Sequence, residues 1–133
     1  MIVLDTHVLV WWVNGDSDLS APAKVAIKKE TEREDGIILV SSISAWEIAL
    51  LVQKGRLTLT MHIDDWLSTI GESDAVRFVP IDNDVAVQST QLPGVFHSDP
   101  ADRMIVALAR HMSAPLVTAD TKIRSYKYLR TIW

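Results

Sequence analysis

With 133 residues, 48% of them hydrophobic, the chain has the length of one domain with a proper core and the composition of an ordinary globule. The absence of cysteine excludes disulfides, zinc–thiolate sites and thiol catalysis, and fits a reducing compartment such as the cytoplasm. The net charge of −4 argues against a partner held by bulk positive charge, and no apolar run approaches the roughly 18 residues needed to span a bilayer.

Residues 2–5 read as a short apolar strand, and the sequence opens with no basic leader and cleavage site, so no secretory signal is expected. Val8 to Val13 continues as a helix with Asp5 or Thr6 as its cap, broken at Asn14-Gly15-Asp16-Ser17. Ser20-Ala21-Pro22 starts a second helix, expected to run to about Asp35 and to end at Gly36. Ile37 to Val40 is apolar and β-branched, hence a buried strand. A helix over about Ile43 to Gln53 follows, then a short extended piece at Leu57-Thr58-Leu59. A further helix covers about His62 to Ile70, with Asp64 and Asp65 in its first turn.

Val76 to Ile81 reads as the third strand and Asp82 to Gln91 as a helix capped by Asp82. Asp99-Pro100 opens the most regular helix, to about His111, with Met104, Ile105, Leu108 and Met112 at helical spacing. Ala114 to Thr118 is the fourth strand, Asp120 caps a short helix, and Thr131-Ile132-Trp133 can add a last strand. Alternating strands and helices predict an α/β fold, one domain over 1–133, with a parallel, doubly wound sheet of four or five strands.

Four acids close short motifs in this pattern: Asp5, Glu47, Asp102 (with Asp99 just before it) and Asp120. Each has a structural explanation. Asp5, Asp99 and Asp120 suit helix caps, Asp102 suits a first helical turn, and Ser44 with Glu47 spells a capping box. Taken together they suggest more. Asp5 and Asp120 follow strands that would be neighbours at the switch point of a doubly wound sheet, where ligands bind. Two carboxylates about 4 Å apart repel by roughly 4 kcal/mol at an effective dielectric near 20. A cluster of four therefore calls for a shared proton or a bound cation, and oxygen-only ligands select a hard ion such as Mg2+ or Mn2+. His7 and His97 lie beside these acids, while His62 and His111 read as solvated. No glycine-rich phosphate loop is present.

At these residues the chain resembles the PIN-domain ribonucleases, in particular VapC-type toxins of type II toxin–antitoxin systems. The resemblance spans nearly the whole chain. It rests on Leu4-Asp5-Thr6-His7 with Trp11-Trp12, Ser42-Ile43-Ser44-Ala45-Trp46-Glu47-Ile48, His97-Ser98-Asp99-Pro100-Ala101-Asp102-Arg103, and Val117-Thr118-Ala119-Asp120. It implies a three-layer α/β/α fold and an acidic quartet at Asp5, Glu47, Asp102 and Asp120, with Asp99 as the rival third ligand. It also implies one or two Mg2+ or Mn2+ ions and metal-dependent cleavage of RNA. Thr6, Arg103, Thr118, Lys122 and Arg124 are then candidate substrate contacts, and Tyr126 and Tyr128 candidate stacking platforms for unpaired bases. The family reading further implies a homodimer and a cognate antitoxin. Surplus apolar residues at Trp11, Trp12, Leu50, Leu51 and Val52 would supply the contact surface, Trp11 and Trp12 being expected to face differently.

Two other functions fit parts of the pattern. A haloacid-dehalogenase-like phosphatase also opens with strand-then-Asp, but needs a second Asp where His7 stands. A receiver-like binding module needs an acceptor Asp near residue 50, and none lies between Asp35 and Asp64. An inactive PIN scaffold would more naturally have lost one of the four acids.

Overall fold

The computed structural model describes residues 1–133. The elements, in order, are β1 (Ile2–Leu4), α1 (Thr6–Asn14), α2 (Ala21–Glu32), β2 (Ile38–Ser41), α3 (Ser42–Gln53), α4 (Ile63–Gly71), β3 (Val76–Val79), α5 (Asn83–Thr90), α6 (Pro100–His111), β4 (Leu116–Val117), α7 (Thr121–Arg124) and β5 (Thr131–Ile132). All five strands are parallel, in the order β3-β2-β1-β4-β5. The chain winds outward from β1 to β3 on one side, then restarts at β4 on the other. The switch point thus lies between β1 and β4, as the sequence pattern implied, and its crevice opens at their carboxyl ends.

Strand side chains alternate across the sheet, which divides the core in two. Ile2, Leu4, Ile38, Val40 and Val117 face a cluster completed by Val8, Leu9, Ala23, Ile27, Trp66 and Ile70 from α1, α2 and α4. Val3, Leu39 and Leu116 face the opposite cluster, with Val85, Ile105, Leu108 and Ile123 from α5, α6 and α7. Helix α3 joins both layers, for Ile48 belongs to the first cluster and Ile43 packs on the second.

Three local expectations are corrected. Leu57-Thr58-Leu59 joins no strand ladder; Leu57 and Leu59 instead pack as half-buried side chains on the first cluster. Helix α2 stops at Glu32, and Gly36 is required four residues later for another reason: a Cβ there would lie 1.7 Å from the Glu30 carbonyl oxygen. The carboxylate of the same Glu30, 4% exposed, accepts bonds from the Met1 ammonium at 3.0 Å and the Ile37 N–H at 3.0 Å, with Arg33 3.7 Å away. Burial alone would raise its pKa, but the ammonium, the Ile37 N–H and Arg33 together lower it. Finally, Ser44 and Glu47 form no capping box. Ser41 caps α3 by accepting the Ile43 N–H, so Ser44 lies inside the helix, fully buried.

Candidate active site

Asp5 ends β1 and caps α1, its Oδ1 accepting the Thr6 N–H at 2.8 Å. Its other oxygen accepts the hydroxyl hydrogen of Thr118, at the end of β4, at 2.7 Å. Having donated its one hydrogen, the Thr118 oxygen accepts the Asp120 N–H at 3.0 Å. Thr118 is fully buried and ties the first acid to the fourth. His7 adds a second tie between the same two loops. Its Nε2 accepts the Ala119 N–H at 3.1 Å, so in the neutral ring the hydrogen sits on Nδ1, 3.6 Å from Asp5 Oδ2.

Glu47 lies one turn into α3 and is held by Thr6, whose hydroxyl donates to Oε1 at 2.6 Å. Thr6 also meets Ser44 Oγ at 2.8 Å, and since its hydrogen is spent on Glu47, Ser44 is the donor there. Asp102 lies in the first turn of α6, which Asp99 caps by accepting the Asp102 N–H at 2.9 Å. The Asp102 carboxylate meets His97 Nε2 at 2.7 Å. Asp120 caps α7, its Oδ1 accepting the N–H groups of Lys122 and Ile123 at 2.8 and 3.2 Å.

Asp5, Glu47, Asp102 and Asp120 line one cleft of about 300 Å³, together with Thr6, His7, Trp11 and Arg56. Asp99 is not on its wall; it faces the neighbouring groove beside Trp46 and Pro100. The capping roles proposed for Asp5, Asp99 and Asp120 are real, yet three of the quartet keep a free oxygen. Glu47 Oε2, Asp102 Oδ1 and Asp120 Oδ2 accept no hydrogen bond within the chain. Burial, then the charges of Asp5, Asp102 and Asp99, push the Glu47 pKa up against the lowering pull of Thr6. Burial, then Asp5, Asp99 and Asp120, push Asp102 up against the pull of His97. These groups hold unmet negative charge.

That charge and the all-oxygen donor set fit a hard divalent cation. No trio of acidic or imidazole side chains is arranged to grip an ion directly. Such a site suits an ion that takes one or two carboxylates and keeps several waters, as Mg2+ does.

Of the candidate substrate contacts, only Thr6 lines the cleft. Arg103 is turned away from the cleft, donating to the carbonyls of Ser89 at 2.7 Å, Phe96 at 2.9 Å and His97 at 3.1 Å. Through Nε and Nη1 it ties the 91–98 loop to the end of α5. Thr6 and Thr118 are buried and orient acids. Tyr126 is buried and its hydroxyl bonds the Pro93 carbonyl, which removes it as a stacking surface. Burial raises its pKa. Tyr128, Lys122 and Arg124 are exposed. Trp11 and Trp12 do not divide into one core and one surface residue: both are half-buried against the first core cluster, Trp11 touching His7 and Trp133. The exposed tryptophan is Trp46, 57% accessible, one residue before Glu47. Sequence reasoning missed Trp46 and Arg56; only the adjacency of Trp46 to Glu47 signalled either.

The PIN domain family model matches residues 2–128. Ribonuclease VapC22 of Mycobacterium tuberculosis is 37% identical over 134 residues, covering 99% of this chain and 98% of that protein. The fold is similar to that of VapBC2 from Rickettsia felis, crystallised with a promoter DNA fragment. That match has a TM-score of 0.69 at 17% identity, over 98% of this chain and 97% of the other. It is also similar to a chain of a toxin–antitoxin complex from Klebsiella pneumoniae, with a TM-score of 0.67 at 17% identity, over 100% and 97% of the two chains. The near-complete family match and the shared identity along the whole chain agree with the sheet order and the acidic cleft: the chain belongs to the PIN-domain family.

Proposed function

We propose that this protein is a metal-dependent endoribonuclease, the toxin of a toxin–antitoxin pair, hydrolysing RNA phosphodiester bonds in the cytoplasm. One observation carries the reading: four acids from four separated segments line one cleft, three with an uncommitted oxygen. The name of the 37% identical relative supports RNA as the substrate.

Asp5, Glu47, Asp102 and Asp120 would hold one or two Mg2+ or Mn2+ ions. When bound, such an ion polarises the phosphate and makes a neighbouring water more acidic. The chain supplies orientation. Thr6 aims Glu47, Thr118 and the Thr6 N–H aim Asp5, and His97 aims Asp102. On Glu47 and Asp102 the pinned oxygen leaves its partner oxygen free, whereas both oxygens of Asp5 are held, so the acids are oriented without reorganisation at the moment of reaction. Hydrolysis joins a water oxygen to phosphorus and breaks the bond to O3′, leaving 5′-phosphate and 3′-hydroxyl ends.

An antitoxin and a second copy of the chain are the proposed protein partners. The exposed Trp46 and the groove of about 690 Å³ that it lines with Leu50, Leu51 and Pro100 support a contact surface beside the acids. No helix is long and apolar enough to cross a membrane.

The test is cleavage of single-stranded RNA with Mg2+ or Mn2+, repeated with EDTA. Metal-dependent cleavage, lost in folded Asp5→Asn and Asp102→Asn proteins, is expected; equal activity in those variants refutes the assignment. A covalent phosphate trapped on Asp5 would favour the phosphatase reading instead.

A further inference from the structure

A second hollow, of about 540 Å³, lies beside the acid cleft between the 94–97 loop and the 122–128 segment. The two share a partition: His97 lines the hollow, and its Nε2 bonds Asp102, which lines the cleft. Lys122, two residues past Asp120, also lines the hollow, as does Lys127. No carboxylate does. A cleft of four acids and a hollow with two free ammoniums therefore sit side by side. Neither lysine is in an ion pair, although the chain carries 17 acids.

The hollow has an aromatic wall that is already rigid. Phe96 and Tyr126 are 4.9 Å apart and Tyr126 and Tyr128 5.6 Å apart, ring centre to ring centre. Tyr126 is pinned to the Pro93 carbonyl, and the Arg103 clamp holds Phe96 and His97. Gly94 sits at φ +68°, and a Cβ there would come within 2.7 Å of the Tyr128 ring, so backbone packs directly on that ring. Tyr128 nonetheless stays 41% exposed, beside Val95 at 96%. The Lys127 ammonium lies 5.2 Å from the Tyr128 ring centre.

We infer that this hollow is a subsite for one unpaired RNA nucleotide flanking the scissile phosphate, its base stacked on Tyr128 and its phosphate taken by Lys122 and Lys127. A preset, exposed ring accepts any base face once the base is free of its complement. The arriving base replaces the Lys127 ammonium on the ring and releases it to the phosphate. The lysines also answer an electrostatic problem: an acidic cleft repels a polyanion, and these cations retain the strand next to it. The inference rests on the ribonuclease reading and deepens it by specifying single-stranded substrate and the residues that grip it.

The test uses a fluorescein-labelled octaadenylate RNA carrying one 2-aminopurine, bound in EDTA, and cleavage kinetics of the same RNA in Mg2+ or Mn2+. Tyr128→Ala should weaken binding about 5- to 100-fold and remove the stacking quench. Tyr128→Phe, which keeps the ring, should restore most of both. Lys122→Ala and Lys127→Ala should each lower the slope of log affinity against log salt by about 0.7, whereas Lys28→Ala, on α2, should not. In cleavage, the three alanine variants should raise KM more than they lower kcat. Unchanged affinity and KM in all three, or equal affinity for the duplexed RNA, overturns the subsite. Wild-type protein that cleaves RNA while KM ignores these residues overturns the subsite alone. Wild-type protein that binds RNA with these dependences but never cleaves it supports the subsite and overturns the ribonuclease reading. A protein that neither binds nor cleaves overturns both.

Discussion

Thr118 donates its hydroxyl hydrogen to Asp5 at 2.7 Å, across 113 positions of sequence. The same oxygen accepts the Asp120 N–H, so one buried atom sets the spacing of two acids. Thr118→Val keeps the shape and deletes both bonds. It should cost about 1–3 kcal/mol, because a buried carboxylate oxygen and an amide lose their partners. Denaturant midpoints measure that loss, and RNA cleavage should fall with it. A variant as stable and active as the parent would show that Asp5 does not depend on this hydroxyl.

Arg103 makes a different prediction from the one its position beside Asp102 invites. Two of its three bonds go to loop carbonyls, those of Phe96 and His97, and the third to Ser89 on α5, so its loss loosens the loop that carries His97. Arg103→Lys cannot reproduce the fork and should destabilise by about 1–3 kcal/mol. Cleavage kcat should drop while the salt dependence of RNA binding stays as it was. A reduced salt slope would mean that Arg103 touches phosphate after all.

The acid cluster sets the pH dependence of metal-free stability. Glu47 and Asp102 have raised pKa values, so between the ordinary carboxylate range, about 4, and their folded values the native state binds more protons than the unfolded chain. Their contribution therefore falls as pH rises through that window. The melting temperature in EDTA should decline on going from mildly acidic to neutral pH. Saturating Mg2+ and the Glu47→Gln, Asp102→Asn double variant should each flatten the decline. A decline that persists in the double variant would place its origin elsewhere.

Glu30 works in the opposite sense. Its lowered pKa gives stability that is complete above the unfolded value and is lost as pH falls through the folded one. Glu30→Gln should lower stability at neutral pH and weaken the acid-side loss. Acid titrations of unfolding for the two proteins should converge at low pH.

Two glycines separate steric need from backbone need. Gly36→Ala forces a methyl onto the Glu30 carbonyl and should cost about 3 kcal/mol or more. Gly15 caps α1 at φ +67° with open space around it, so Gly15→Ala should cost about 1–2 kcal/mol. Equal melting temperatures for the two variants would contradict this ordering.

The sheet and the meeting of the acids were legible because both follow from repeated local rules. Apolar β-branched runs alternate with capped helices, and Asp5 and Asp120 each stand just past a strand. The direction of a side chain is less legible, because it depends on what another segment offers. Arg103 is one residue from Asp102, but the helix turns it toward the carbonyls of the 91–98 loop. Ser44 and Glu47 spell a cap, yet Ser41 begins the helix earlier and Ser44 becomes Thr6's partner. Trp11 and Trp12 read as one buried and one exposed, but helix α1 lies in a corner where both find apolar neighbours. Trp46 reads only as part of the motif that ends in Glu47 and Ile48, since the exposure of its ring is visible only once the helix is seated.

The order of the strands also governs when the acidic cleft can exist. β1 lies at the centre of the sheet, and one of its two neighbours, β4, comes from the last fifth of the chain. A ribosome making this protein extrudes Asp5 before Thr118 and Asp120, and must deliver both before the cleft has its far wall. Messages truncated upstream of that point yield fragments with a bare strand edge and no assembled hydrolytic centre. Translation itself thereby keeps the cleft unassembled until Thr118 and Asp120 have left the ribosome.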